Sequence, residues 1–369
     1  MKKRILHVVG QLSIGGQEMM ALNFFKYINR EEFTFDYIVY GEHIGELEKE
    51  VLDMGGRVFH LPLTSTFNIL KNYKMLYLHM LKYGPYDVVH SHTYLNNGII
   101  LLAAKKAKIK TRISHCHTSE SGKSKKFIYN IYAFIMKQLI KNYSTEYIAC
   151  SQNAGNHLYG KHCFNNYGIV IKNGIDLESY CFNYKKRKDV RDQLGISKNT
   201  IVLGNVSRLS KEKNHTYMIA IAHELKKSNL NFLFLLVGGG PLLNSLKEEC
   251  EKQNVSEIFL FLGPREDVPS LLQAMDIIIH PSFFEGLPVA LVEAQAAGLP
   301  CIISANITHE IKMSENVSFI DIQENSISLW VKKIIEYSNV LRNNDCQQLK
   351  QNGYDIKESC KILESIYNS

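Results

Sequence analysis

The run HPSFFEGLPVALVEAQAAG, from His280 to Gly298, carries two glutamates, Glu285 and Glu293, with seven residues between them. After the apolar segment IIIH comes a loop with Ser282, Glu285, Gly286 and Leu287, and Pro288 stands where the first turn of a helix tolerates a proline. Free backbone amides at such a helix start, with Gly286 allowing close approach, suit an anionic phosphate. Glu285 in the loop can accept hydrogen bonds from sugar hydroxyls. Glu293 falls in the otherwise apolar VALVEAQAA. A carboxylate there needs a partner, and vicinal ribose hydroxyls would supply one.

A second basic segment fits the same chemistry. In VSRLSKEKNH, Arg208 and Lys213 follow a strand and precede a helix, a placement from which both can neutralise a leaving diphosphate. There is no D-x-D pair, H-E-x-x-H or C-x-x-C. Phosphate charge would therefore be met by side chains and backbone rather than by a metal ion. Three further segments follow strands and carry reactive or flexible residues: Gly15-Gly16 in GQLSIGGQEMMALN, His115, His117 and Thr118 in RISHCHTSES, and the histidines of HSH at 90–92.

These residues need elements to hold them. The chain has 369 residues, 45% hydrophobic and 21% charged, which is a globular composition long enough for two domains. No run reaches the roughly 18 apolar residues of a membrane span. MKKRILHVVG starts like a secretion signal, but its apolar run stops at Gly10, and it reads as a first strand. Eight scattered cysteines suggest reduced thiols of a cytoplasmic protein. Short apolar runs alternate with helical patterns, the signature of parallel sheets. In the first half they lie near 4–9, 35–40, 57–61, 87–90, 111–115, 147–150 and 168–171; in the second, near 201–206, 232–237, 258–261, 277–280 and 301–303. The polar stretch Asn173–Lys188 separates the two series and reads as a connection, and the tail from Ser326 reads as helix. Two doubly wound α/β domains then face a central cleft, with the motifs in strand-to-helix loops.

EGLPVALVE, together with VSRLSKEKNH, the glycine pair after strand 1 and the HTS at His117, resembles the signatures of retaining glycosyltransferases of family 4, and the likeness runs the length of the chain. The resemblance implies the GT-B architecture: an acceptor-binding Rossmann-like domain over 1–175, a sugar-nucleotide-binding one over 176–350, and a C-terminal helix over 351–369 packing back on the first. It implies that Glu285 contacts the donor sugar, Glu293 the ribose, and His117 the sugar from the other side. Gly263 in FLGPREDVPS would edge the nucleotide base, with Arg265 a weaker candidate. Gly16 would line the donor phosphates, and Gly15 and Thr118 the acceptor side. The donor expected from the family is a UDP-sugar, with no cofactor and no metal. The acceptor would be a glycan or lipid-linked hydroxyl of a surface polysaccharide. An inverting transferase, with His117 as base, or a UDP-sugar epimerase is the alternative among enzymes.

Net charge is +7, and ten basic residues against the lone Glu120 crowd the span from Lys105 to Lys141. Such a field suits nucleic acid, anionic lipid or an anionic substrate. A pure binding module would leave Glu285 and Glu293 unexplained, so nucleic acid is not the expected partner. The basic, aromatic stretch Lys123–Tyr143 suits instead an anionic membrane surface at the cytoplasmic face. Equally, its apolar side can cover the sheet.

Overall fold

Strands that are buried on both faces read as near-continuous apolar runs, and this is how the chain builds its two sheets. The computed structural model describes residues 2–13, 16–63, 68–118, 127–285, 287–342 and 346–369. The chain divides into one unit of Met1–Gly174 with Gly353–Ser369, and a second of Ile175–Asn352. Gly15, Gly286 and the basic run from Lys123 to Lys126 lie outside the described residues.

The first unit holds β1 (Lys3–Val8), β2 (Phe33–Tyr40), β3 (Arg57–Leu61), β4 (Val88–Ser91), β5 (Thr111–Cys116), β6 (Glu146–Ala149) and β7 (Gly168–Val170). They pair in parallel in the order β3-β2-β1-β4-β5-β6-β7. The order reverses between β1 and β4, where loops leaving the two strands diverge and open a crevice at their C-terminal ends. One face of the sheet packs Phe24, Phe25 and Phe35 against Ile356 and Leu363. The other packs Leu6 and Ile38 against Ile100, Met136 and Ile140. The last helix, Ile356–Asn368, is therefore part of this unit's core, started by Asp355, whose side chain accepts from the Lys357 amide.

The second unit holds β8 (Ile201–Val206), β9 (Phe232–Val237), β10 (Phe259–Gly263), β11 (Ile277–His280), β12 (Cys301–Ser304) and β13 (Val317–Ile320). The order is β10-β9-β8-β11-β12-β13, again all parallel, and it reverses between β8 and β11. Strand β13 was not legible in the sequence, since VSFI is short and only its first residue is buried.

Two expectations change. The polar stretch after Asn173 is a crossing only at Gly174–Ile175; its basic run YKKRK opens a helix, Tyr184–Gln193, within the second unit. Asn183 caps this helix, and Arg187 and Arg191 each hold Asp276 at 2.6 Å. Charge that looked like a solvated linker is a helix face paired to the domain beneath it. The tail is not continuous helix either: it breaks into Ile327–Tyr337, Gln347–Gln351 and Ile356–Asn368, with Gly353 at φ +82° ahead of the last.

Candidate active site

The loops that follow β8 and β11 leave neighbouring strands at the reversal point of the second sheet, and they are tied to each other. The Phe283 amide donates to the Glu212 carbonyl at 2.9 Å, and the Asn214 side-chain amide donates to the Pro281 carbonyl at 3.2 Å. Asn214, at φ +54°, ends the short 3-10 turn Lys211–Lys213 and so turns the chain toward the helix His215–Leu225. The glycine run after β9 supports the first loop from below. A Cβ on Gly238 would stand 2.0 Å from the Ser207 carbonyl oxygen, and one on Gly240 would stand 2.3 Å from that of Leu209. Only glycine lets the two backbones lie this close, and the Leu209 amide donates across the gap to Gly239 at 2.9 Å.

On this scaffold three donors converge on a single carboxylate oxygen. Glu285 Oε1 lies 2.6 Å from Lys213 Nζ, 2.6 Å from His280 Nε2 and 2.8 Å from Ser282 Oγ, which donates to it. The Glu285 side chain is 11% exposed. Burial pushes its carboxyl up, but the hydrogen bond and charge of His280 and the Lys213 ammonium outweigh that and hold it at about 2. The group is a fixed carboxylate whose second oxygen has no hydrogen-bond partner among the described residues. Its neighbours Phe283 and Phe284 are exposed.

The other expected donor-side residues are placed as follows. Arg208 is exposed at the end of β8, so its guanidinium is available to an anion. Leu287 is half-buried and Pro288 buried, the latter as the residue just before the helix Val289–Ala296 rather than within its first turn. Glu293 projects from that helix and accepts from the Tyr180 hydroxyl at 2.8 Å. Burial raises its carboxyl, and Tyr180 partly offsets this. Gly263 ends β10 at φ +69°. Arg265 is turned to Asp267 in a two-point ion pair at 2.7 Å, exposed to water. Sequence reasoning missed His280 and Tyr180 as partners of the two glutamates. His280 was legible as the last residue of β11, five before Glu285, but only the fold shows that it turns toward it.

In the first unit, Gly16 opens the helix Gly16–Tyr27 and is exposed. Thr118 is half-buried just beyond β5, its carbonyl accepting from Cys116 Sγ. His117 is the residue just past β5, next to Thr118, with Nε2 2.9 Å from His92 Nδ1. Burial lowers its pKa to about 3, so it is a neutral imidazole at physiological pH. His115, expected at a strand end, is wholly buried in β5.

The chain matches two family models, one described as Glycosyltransferase Family 4 over residues 14–179 and one as Glycosyl transferases group 1 over residues 186–355. It is 32% identical over its full length to EpsF of Bacillus subtilis (strain 168), described as a glycosyltransferase, and spans 97% of that protein. It is 28% identical, over 99% of its own length and 97% of the relative's, to the Escherichia coli UDP-Gal:α-D-GlcNAc-diphosphoundecaprenol α-1,3-galactosyltransferase. Among solved structures it superposes on Anabaena HepE in complex with UDP with a TM-score of 0.79 and 19% identity, each chain covered completely.

Proposed function

Because this chain belongs to glycosyltransferase family 4 and has the GT-B fold, we propose that it transfers a sugar from a UDP-sugar to a hydroxyl of a lipid-linked glycan in surface polysaccharide assembly, with retention at the anomeric carbon. The observation that carries this reading is the Glu285 carboxylate, held ionised by Lys213, His280 and Ser282 at the reversal point of a sheet. The UDP bound by HepE and the lipid-diphosphate acceptor named for the Escherichia coli relative support the choice of donor and acceptor.

In this mechanism Glu285 orients the donor sugar, Glu293 and the Tyr180 hydroxyl hold the ribose, and Gly263 edges the base. Arg208 and Lys213 neutralise the diphosphate as its charge develops. The bond from the anomeric carbon to the phosphate oxygen breaks, the bond to the acceptor oxygen forms on the same face, and the acceptor proton passes to the departing phosphate. No metal is required, because the positive charges are already side chains. His117, neutral, serves the sugar as a hydrogen-bonding group rather than as a base.

A panel of nucleotide sugars, with UDP release and product NMR as readouts, tests this. A UDP-sugar should be preferred, the product anomer should match the donor's, and EDTA should leave the rate unchanged. Inversion at the anomeric carbon, or a rate abolished by EDTA and restored by a divalent ion, would overturn the mechanism.

The helix Phe127–Tyr143 supports a membrane-surface acceptor. One side of it enters the core through Tyr132, Met136 and Ile140, while Phe127, Ile128, Ile131, Phe134 and Ile135 are exposed at helical spacing on another. No helix among the described residues is long and apolar enough to cross a membrane. Moving those five side chains out of water is worth on the order of 5 kcal/mol, which gives reversible attachment. Co-sedimentation with vesicles containing anionic lipid should be strong at low salt and weaken with added salt. Ile131→Glu with Phe134→Glu should abolish it, and equal binding by this variant would remove the helix from the proposal.

A further inference from the structure

The grip on Glu285 comes from two loops of the second unit, and a tether of side chains behind it joins those loops at their roots. Lys213 belongs to the loop after β8, and His280 is the last residue of β11. Two residues beyond Lys213, His215 opens the helix His215–Leu225 and is 2% exposed. Its Nε2 lies 3.1 Å from Ser207 Oγ, which donates to Asn205 Oδ1 at 2.6 Å. Asn205, 1% exposed, donates from Nδ2 to the Ile279 carbonyl at 2.8 Å. The tether therefore starts two residues from one partner of Glu285 and ends one residue from another. Backbone pairing of β8 with β11 ends at Gly204 opposite Ile278, so the Asn205 side chain supplies the next link where the strands part.

The direction of each hydrogen bond in the tether is fixed from its anchored end. A backbone carbonyl only accepts, so the NH2 group of Asn205 faces Ile279 and Oδ1 faces Ser207. An amide oxygen also only accepts, so Ser207 spends its one proton on Asn205, and 2.6 Å is the spacing of an O–H···O bond. Ser207 Oγ then has only lone pairs for His215, whose Nε2 must carry a proton. Burial, followed by the charges of His280 and Lys213 and partly offset by Glu212, lowers the His215 pKa to about 4. The ring is therefore neutral at pH 7, with Nδ1 bare. Nδ1 is buried without a hydrogen-bond partner, and an unfilled lone pair is better tolerated there than an unmet N–H.

We infer that Asn205, Ser207 and His215 are positioning residues that hold Lys213 and His280 at the spacing from which both grip Glu285. This rests on the reading that Glu285 serves the donor sugar. Asn205 and His215 are too deeply buried to meet a substrate themselves, and they act through the residues they space. The ties already described, from Phe283 to Glu212 and from Asn214 to Pro281, join the same loops beyond the strands. The tether joins them at the strand ends, where a small change in separation is carried outward to both Lys213 and His280. Glu285 Oε1 stands 2.6 Å from each of these two, so widening that separation lengthens at least one of the contacts.

Long-range ¹H–¹⁵N correlation on the full chain labelled with ¹⁵N-histidine reads the tether at pH 7.5 without substrate. His215 should show a protonated Nε2 and a bare Nδ1, and the reverse pattern overturns the inference. In turnover of the preferred UDP-sugar, His215→Phe should lower kcat about 10- to 100-fold, the scale of a misplaced group at a reacting centre, with the donor KM changed by less than about threefold. Ser207→Ala breaks the tether one link earlier and should match it. His215→Gln, whose amide N–H falls near the position of Nε2, should recover most of the loss; a Gln variant no better than Phe overturns the inference. The background separates positioning from plain destabilisation. In Glu285→Gln, where the carboxylate served by the tether is gone, His215→Phe should lower kcat by less than about threefold, and an equal loss in both backgrounds overturns the inference. A protein that transfers no sugar at all fails the functional reading instead, and the spectrum still decides the tether.

Discussion

Glu285→Gln should lower turnover by about 10²- to 10³-fold, the scale of losing one preorganised electrostatic contact at a reacting centre. The amide keeps the size of the carboxylate but not its charge. It leaves the Lys213 ammonium without the partner it holds at 2.6 Å, at an expected cost of about 1–3 kcal/mol in stability. The two effects separate in a double variant. Adding Lys213→Met removes the unpaired charge and should recover most of the thermal midpoint, while turnover stays low or falls further. This partition distinguishes a functional carboxylate from one half of a structural ion pair. Normal kcat in purified Glu285→Gln would sink the assignment. The acid limb of the pH–rate profile should not belong to Glu285, because a group held at about 2 stays ionised wherever the protein is folded.

Acidification from pH 7 to pH 5 should selectively destabilise the first unit. In an unfolded chain histidine titrates near 6.5. In the fold, burial holds His7, His90, His92 and His115 well below that value, His117 at about 3 and His79 at about 4. Below about 6.5 the unfolded chain therefore takes up protons that the folded unit refuses. The stabilisation is complete above that pH and is lost as pH falls. Each such histidine subtracts roughly 1 kcal/mol per pH unit. Six in one unit subtract on the order of 5 kcal/mol between pH 6 and pH 5, comparable with the whole stability of an ordinary domain. Glu18, Asp36 and Glu146, whose carboxyls burial raises, act in the opposite sense, but nearer the carboxylate range. Hydrogen exchange should show β1, β4 and β5 losing protection first. The second unit, in which burial lowers His215 to about 4, should follow only at lower pH. A thermal midpoint unchanged between pH 7 and pH 5 would refute this.

Much of this protein was determined by local sequence. Strands buried on both faces write themselves as runs such as IIIH and FLFLLV, and each strand-to-helix loop announces itself by glycines and charges in fixed order, so the two sheets and the family were legible. Glu285, Lys213 and Arg208 could be picked out for the same reason: they stand in loops that follow strands whose positions periodicity reveals. What only the tertiary structure decided were pairings between segments far apart in the chain. Tyr180 meets Glu293 across 113 residues, Arg191 meets Asp276 across 85, and Tyr367 meets His90 across 277. In the sequence the histidines stand in two unrelated motifs, at 90–92 and 115–117, and His7 is an unremarked residue of the first strand. Parallel pairing of β1, β4 and β5 brings them together, with His7 opposite His90 and with Ser91 opposite Ser114, one residue short of His92 and His115. A sequence records which residues can hydrogen-bond. Strand order decides which ones do, because neighbours in a parallel sheet are set by crossover connections and not by distance along the chain.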